Sequence, residues 1–117
     1  MRGIPTLVDE QAEFLKDAAK LINKCFELGF VVTGGELFRT AEQQAIYLQK
    51  GLSKTSNSMH LKRCAIDLNF FKDGVLVGKR DVLIPVGEYW QSLNPKNRWG
   101  GNFTNIVDCP HFERNVG

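Results

Sequence analysis

Long apolar runs are missing from this sequence. Nothing approaches the roughly 18 consecutive apolar residues of a membrane-spanning helix, so no stable insertion into a bilayer is expected. Charge of one sign is equally scarce: 15 Lys and Arg against 13 Asp and Glu leave +2, too little to imply nucleic acid. Cysteine is sparse and odd in number, Cys25, Cys64 and Cys109, so one thiol stays unpaired however the others are used. The opening MRGIPTLVDE brings an acid early and holds no continuous apolar segment, which argues against a secretory signal. Both features favour synthesis in a reducing compartment. Repeats and low-complexity tracts are absent too. With 43% apolar and 24% charged residues, the 117-residue chain reads as one monomeric globular domain, 1–117, able to bury its own core.

What is present has a clear order of elements. Residues 10–29 carry Phe14, Leu15, Ala18, Ala19, Leu21, Ile22, Cys25 and Phe26 at spacings of three and four, the period of an amphipathic helix. Asp9 is the expected cap and Gly29 the stop, and Phe14, Ala18, Ile22 and Phe26 are expected to face inward as a wall behind any site. FVVT at 30–33 reads as a short buried strand. Thr40 followed by Gln43 opens a second helix, AEQQAIYLQKG, ending at Gly51. Residues 52–59 read as a polar loop. CAIDLNFF and VLVG around the turn KDG give a hairpin of 65–71 and 75–77. A third helix is expected at 85–93, opened by Pro85, and a last strand near 109–114. The fold class is α+β, a short antiparallel sheet against helices.

Histidine is the scarcest of the chemistry-bearing residues, with only His60 and His111. His60 stands seven residues before Asp67, which lies in the strand-like run, and His111 lies in VDCPHFE. Two imidazoles and a carboxylate make a sound zinc set, with a fourth position left for water. Two histidines and some aspartates also occur together in many domains by chance. Asp108, three residues before His111, is a candidate general base, or else a turn residue of the DCP segment. Arg39, just ahead of the second helix, is either a surface charge or a counter-charge for a substrate oxygen. From Lys50 to Ile66 four bases (Lys50, Lys54, Lys62, Arg63) stand with no acid, a solvated loop or an attraction for an anionic polymer.

Ser58, His60, Ala65 and Asp67 match the pattern S-x-H-x-x-G-x-A-x-D, and Asp108 with His111 matches D/E-x-x-H. In this the chain resembles the zinc peptidases of the D-alanyl-D-alanine carboxypeptidase type, which include the L-alanyl-D-glutamate endopeptidases of bacteriophage lysis. The similarity runs from GGELFRTAEQQ through WGGNF to HFE. The resemblance implies that family's fold, with His60, Asp67 and His111 as zinc ligands and Asp108 as catalytic base. Arg39 would then stabilise the substrate side, and Ser58 would support the first ligand or the substrate. The family glycine is replaced by Arg63. If that position has a positive φ, Arg63 carries mild strain or the loop runs differently, and its charge is brought to the pocket rim.

The implied activity is peptidoglycan stem-peptide hydrolysis by metal-activated water, at the L-alanyl-D-glutamate bond. Such an enzyme is made in the bacterial host cytoplasm and reaches the wall after the membrane is permeabilised. D-alanyl-D-alanine carboxypeptidase activity is the alternative within the class. A catalytically inactive wall- or macromolecule-binding module is the alternative outside it.

Overall fold

The computed structural model describes residues 6–53 and 58–116. The polar loop expected at 52–59 falls partly on residues 54–57, Lys54 among them, which lie outside the described residues.

Helix α1 spans Leu7–Glu27, three residues earlier than its apolar period suggests. Thr6 is the cap: its side chain accepts from the Asp9 N–H, while the Asp9 carboxylate accepts from the Thr6 N–H, so Asp9 closes the capping box rather than opening the helix. The buried face is Glu10, Phe14, Asp17, Ala18, Leu21 and Cys25. Phe26 and Leu15 are more than half exposed, and Ala19 is exposed too, against expectation. A row taken every fourth residue gains about 40° per step, so by the third step from Phe14 it has turned roughly 120° off the face. The inward row follows Phe14, Ala18, Leu21 and Cys25 instead. The helix ends through Leu28 at Gly29, whose φ of +91° suits glycine.

Strand β1, Val31–Gly34, is an edge strand with Val31 and Thr33 exposed, and the buried residue of the segment is the preceding Phe30. Helix α2 covers Ala41–Gln49, capped by Thr40, whose hydroxyl accepts from the Gln43 N–H. A 3₁₀ turn, Met59–Lys62, leads into β2, Ala65–Lys72, which hairpins into β3, Val75–Val77. The turn uses Asp73 and Gly74 at φ +52° and +77°, the left-handed pair that a two-residue hairpin demands.

Helix α3 runs Arg80–Leu93, so Pro85 sits inside it rather than at its start. Proline there forgoes one backbone bond. The burial of Leu83, Val86 and Trp90 offsets that loss, because these side chains belong to the central core. Strand β4, Asn97–Trp99, gave no sequence signal of its own; a 3₁₀ turn, Gly100–Asn102, follows, and β5 is His111–Arg114.

The sheet order is β1-β2-β5-β4, with β3 also on β2, and among the described residues all four pairings are antiparallel. The α+β expectation holds. Strand β2 is the spine: β1 takes Leu68 to Phe71 on one edge, while β5 takes Ala65 to Asp67 and β3 takes Phe70 to Lys72 on the other. The core gathers α1 and α3 against the sheet. Trp90 stands edge-on to both Phe14 and Phe112, at 5.7 and 6.1 Å between centroids. Cys25, Cys64 and Cys109 are free and buried, and burial pushes the Cys25 thiol up to about 12.

Phe14→Ala is expected to cost about 3–5 kcal/mol, the range for a buried aromatic truncated to alanine. Phe26→Ala should cost less than about 1 kcal/mol, since its ring is already half in water. Urea melts of the two variants check this ordering, and equal losses would mean that the face of α1 is misassigned.

Candidate metal centre and its cleft

The register of β2 on β5 makes Asp67 and His111 direct cross-strand partners, so their side chains share one face of the sheet. His60 arrives from the 3₁₀ turn just before β2. Ser58 caps that turn by accepting the His60 N–H at 3.2 Å. Arg63 ends the turn at φ +55°, ψ +35°, so the position where the family pattern has glycine does lie in the left-handed region. Its guanidinium lies 4.4 Å over the Phe38 ring, away from the residues that line the cleft. Arg63 is therefore not the rim charge that its position suggested.

His60 Nε2, Asp67 Oδ1 and His111 Nδ1 converge. Each imidazole nitrogen is 3.3 Å from Asp67 Oδ1, and one ligand atom from each of the three residues lies within 4.8 Å of the others. The His60 Nδ1 faces the Leu37 carbonyl at 2.9 Å. A carbonyl only accepts, so the proton belongs on Nδ1 and the Nε2 lone pair points into the cleft. That Nε2 is buried and has no hydrogen-bond partner among the described residues. Its 3.3 Å approach to Asp67 brings two acceptors together and is not a hydrogen bond, because neither atom then carries a proton. An orphaned buried lone pair beside a carboxylate is what a cation would satisfy. Ligand atoms about 2 Å from a tetrahedral ion stand roughly 3.3 Å apart, so the donor set and the two contacts to Asp67 fit zinc.

Charge sharpens the picture. Burial alone would raise the Asp67 carboxyl, but hydrogen bonding from His111 and the nearness of the His60 ring hold it well below the usual carboxylate range. Burial would lower His111, yet Asp67 on one side and Glu113 on the other raise it to about 9. Glu113 was not foreseen. Its Oε1 is 2.7 Å from His111 Nε2, and its other oxygen accepts from Arg98 Nε at 2.8 Å. The available signal was its place two residues after His111, which in a strand means the same face.

Asp108 lines the same cleft as the three converging residues, together with Arg39 and Ser58, in a volume of about 810 Å³. Burial pushes its carboxyl up from the ordinary range, with Asp67 adding to the rise and His111, His60 and Arg39 opposing it. The Asp108 backbone N–H donates to the Gly100 carbonyl and its carbonyl accepts the His111 N–H. Among the described residues no hydrogen bond or ion pair holds its carboxylate, so the side chain is not spent on the turn. Gly100 makes this approach possible: a Cβ there would overlap the Asp108 carbonyl oxygen and crowd His111. Arg39 is held by Glu36 and by Gln44 at 2.6 Å each, by Ser58 at 3.4 Å, and over the Tyr47 ring. Its charge is therefore shared with Glu36, another residue of the cleft that sequence reasoning missed.

The family model for D-alanyl-D-alanine carboxypeptidase matches residues 52–114, which is 63 of 117 positions and holds both halves of the site. The chain belongs to this peptidase family. An L-alanyl-D-glutamate peptidase of Listeria phage A118 is 32% identical over 118 residues, covering 92% of this chain but 39% of its own length. The present chain thus spans well under half of that relative. A crystal structure of the L-Ala D-Glu endopeptidase ChiX of Serratia marcescens superposes with a TM-score of 0.67 at 21% identity, over 97% of this chain and 90% of that one. The likeness extends to the fold as a whole. Peptidases of this family depend on a metal, and the His60, Asp67 and His111 group is the possible metal site.

The metal-free protein should lose stability as pH rises from about 6.5 to about 9. A histidine whose folded pKa is raised contributes stability fully below its unfolded value, and this is lost as it deprotonates through the folded one. Zinc requires the deprotonated ligand, so the gap in melting temperature between zinc-loaded and metal-free protein should widen over the same range. Calorimetric melts across pH check it; a flat metal-free profile would contradict the Asp67–His111–Glu113 arrangement.

Proposed function

We propose that this chain, residues 1–117, is a zinc-dependent peptidoglycan hydrolase domain that cuts the stem peptide between L-alanine and D-glutamate. The observation that carries the reading is the convergence of His60, Asp67 and His111 beside an uncommitted Asp108 carboxylate. A zinc ion on the three ligands would supply an activated water and polarise the scissile carbonyl. Asp108 accepts the proton of the attacking water and passes it to the departing amine, a role suited to a carboxyl whose affinity for protons is raised by burial. Arg39 contributes positive charge at the cleft wall, tempered by Glu36, and holds Ser58, which in turn holds the turn that carries His60.

The bond is assigned by analogy with the printed activities of the phage relative and the Serratia enzyme. The description of the family model favours a second reading, release of the terminal D-alanine. A wall-binding module without catalysis is disfavoured, since it has no use for a raised carboxyl in the same cleft as the three candidate ligands. A role in host lysis, with synthesis in the host cytoplasm and action on the wall once the membrane is breached, fits the phage origin of that relative. No helix of the described residues is long and apolar enough to cross a membrane.

Digestion of purified peptidoglycan with mass spectrometry of the products separates the two peptidase readings. A new amino-terminal D-glutamate supports the endopeptidase, and free D-alanine supports the carboxypeptidase. Zinc should bind at about one ion per chain, and chelation should abolish cleavage. Asp108→Asn should fold and keep its zinc while turnover falls by about 10²–10⁴-fold. Near-normal cleavage by that zinc-replete variant would remove Asp108 from the mechanism.

A further inference from the structure

The two histidines face the cleft in opposite ways. His60 presents Nε2 and gives its Nδ1 proton to a neutral backbone carbonyl, that of Leu37. His111 presents Nδ1, and its Nε2 is 2.7 Å from a carboxylate, Glu113 Oε1. Both members of this second pair are buried at 5% exposure, so water competes poorly for either partner. Glu113 is itself fixed twice. Arg98, its direct cross-strand partner on β4, donates Nε at 2.8 Å and also Nη2 to Glu113 Oε2. From the core side the Trp90 indole N–H donates to the backbone carbonyls of both Glu113 and Arg98, at 3.0 and 3.1 Å.

The geometry points to Glu113, braced by Arg98, as a positioning residue that holds the His111 proton on Nε2 and keeps Nδ1 aimed at the metal position. This rests on the proposed zinc site. Without an acceptor at Nε2, its buried N–H would be left unsatisfied, which is costly. The alternative tautomer, with the proton on Nδ1 and donated to Asp67 Oδ1 at 3.3 Å, would then compete and would remove the lone pair from the ion. A charged acceptor also makes the ring a better donor to a cation than a carbonyl does, so the two imidazoles are unequal ligands. Arg98 reaches this arrangement from the cleft wall, with its side chain half exposed. It neutralises Glu113 on the far side and prevents the carboxylate from rotating away.

The test uses the full chain and zinc itself. Zinc affinity is measured by chelator competition for wild type, Glu113→Ala, Glu113→Gln and Arg98→Ala, with melting temperatures of the metal-free forms. Glu113→Ala is expected to bind zinc about 10–100-fold more weakly, the usual cost of losing such a partner, and Arg98→Ala to lose less. In zinc-loaded protein labelled with ¹⁵N-histidine, wild type should show a protected, hydrogen-bonded Nε2–H for His111, and Glu113→Ala should not. Wild-type zinc affinity in a folded Glu113→Ala protein would make Glu113 merely structural and overturn the inference, whatever its melting temperature. Should Glu113→Ala fail to fold, Glu113→Gln decides: it keeps the shape and sheds the charge, and an affinity within twofold of wild type overturns the role. A wild-type chain that takes up no zinc would instead sink the metal site, an outcome distinct from either.

Discussion

The pairing of Asp67 with His111 across β2 and β5 is the contact on which the rest of this molecule depends. Side chains alternate along a strand, so a slip of one residue would send Asp67 or His111 to the opposite face. The register is protected on both flanks. The Leu68 N–H donates to the Pro110 carbonyl at 2.9 Å, and the Arg114 N–H donates to the Cys64 carbonyl at 2.8 Å. On the other edge of β2 the Asp67 backbone is bonded to Gly35 and Glu36. Asp67 is thus held in the middle of a three-strand width, and the two histidines are brought to it.

Strand β5 divides its side chains between chemistry and core. His111 and Glu113 turn to the cleft, while Phe112 and Arg114 turn inward. Phe112 packs with Trp90 and Phe70, and the Arg114 guanidinium donates to Glu10 of α1 at 3.0 Å, where Lys96 also binds. Helix α1 therefore serves the site at one remove. It anchors the back of the strand whose front carries the candidate ligand His111, and it does not line the cleft. The same economy appears at Gly100, where the absence of a side chain lets the segment bearing Asp108 lie against the 3₁₀ turn.

Electrostatics gives the carboxylates of the cleft different tasks. Burial is the largest single influence on Asp67 and Glu113, but hydrogen bonds and charge attraction from neighbouring imidazoles, and from Arg98 at Glu113, together hold both low. Asp108 has no such bond among the described residues, and burial dominates. Acids of one cleft are thereby driven in opposite directions by their neighbours alone, a division that residue type cannot convey and that suits the separate roles proposed for Asp67, Glu113 and Asp108.

Local periodicity carries no information on how a helix is rotated against a core, which is why Phe14 was legible as buried and Phe26 was misread. Pro85 looked like a helix start because the packing of Leu83 lay outside its local window, and β4 was too short to leave a period. The grouping of the candidate ligands was more legible than the fold around it, since they fall in two short patterns with two histidines to choose from. What the sequence by itself determined is the chemistry: the identities of His60, Asp67, His111 and Asp108, the hairpin turn at Asp73-Gly74, and the helical periods. The tertiary structure alone decided that these four meet. It also decided that each histidine presents a different nitrogen, that Glu113 and Arg98 stand behind one of them, and that Arg39 shares its charge with Glu36. Those outcomes depend on which backbone segments lie side by side, and strand register and burial are properties of the folded chain.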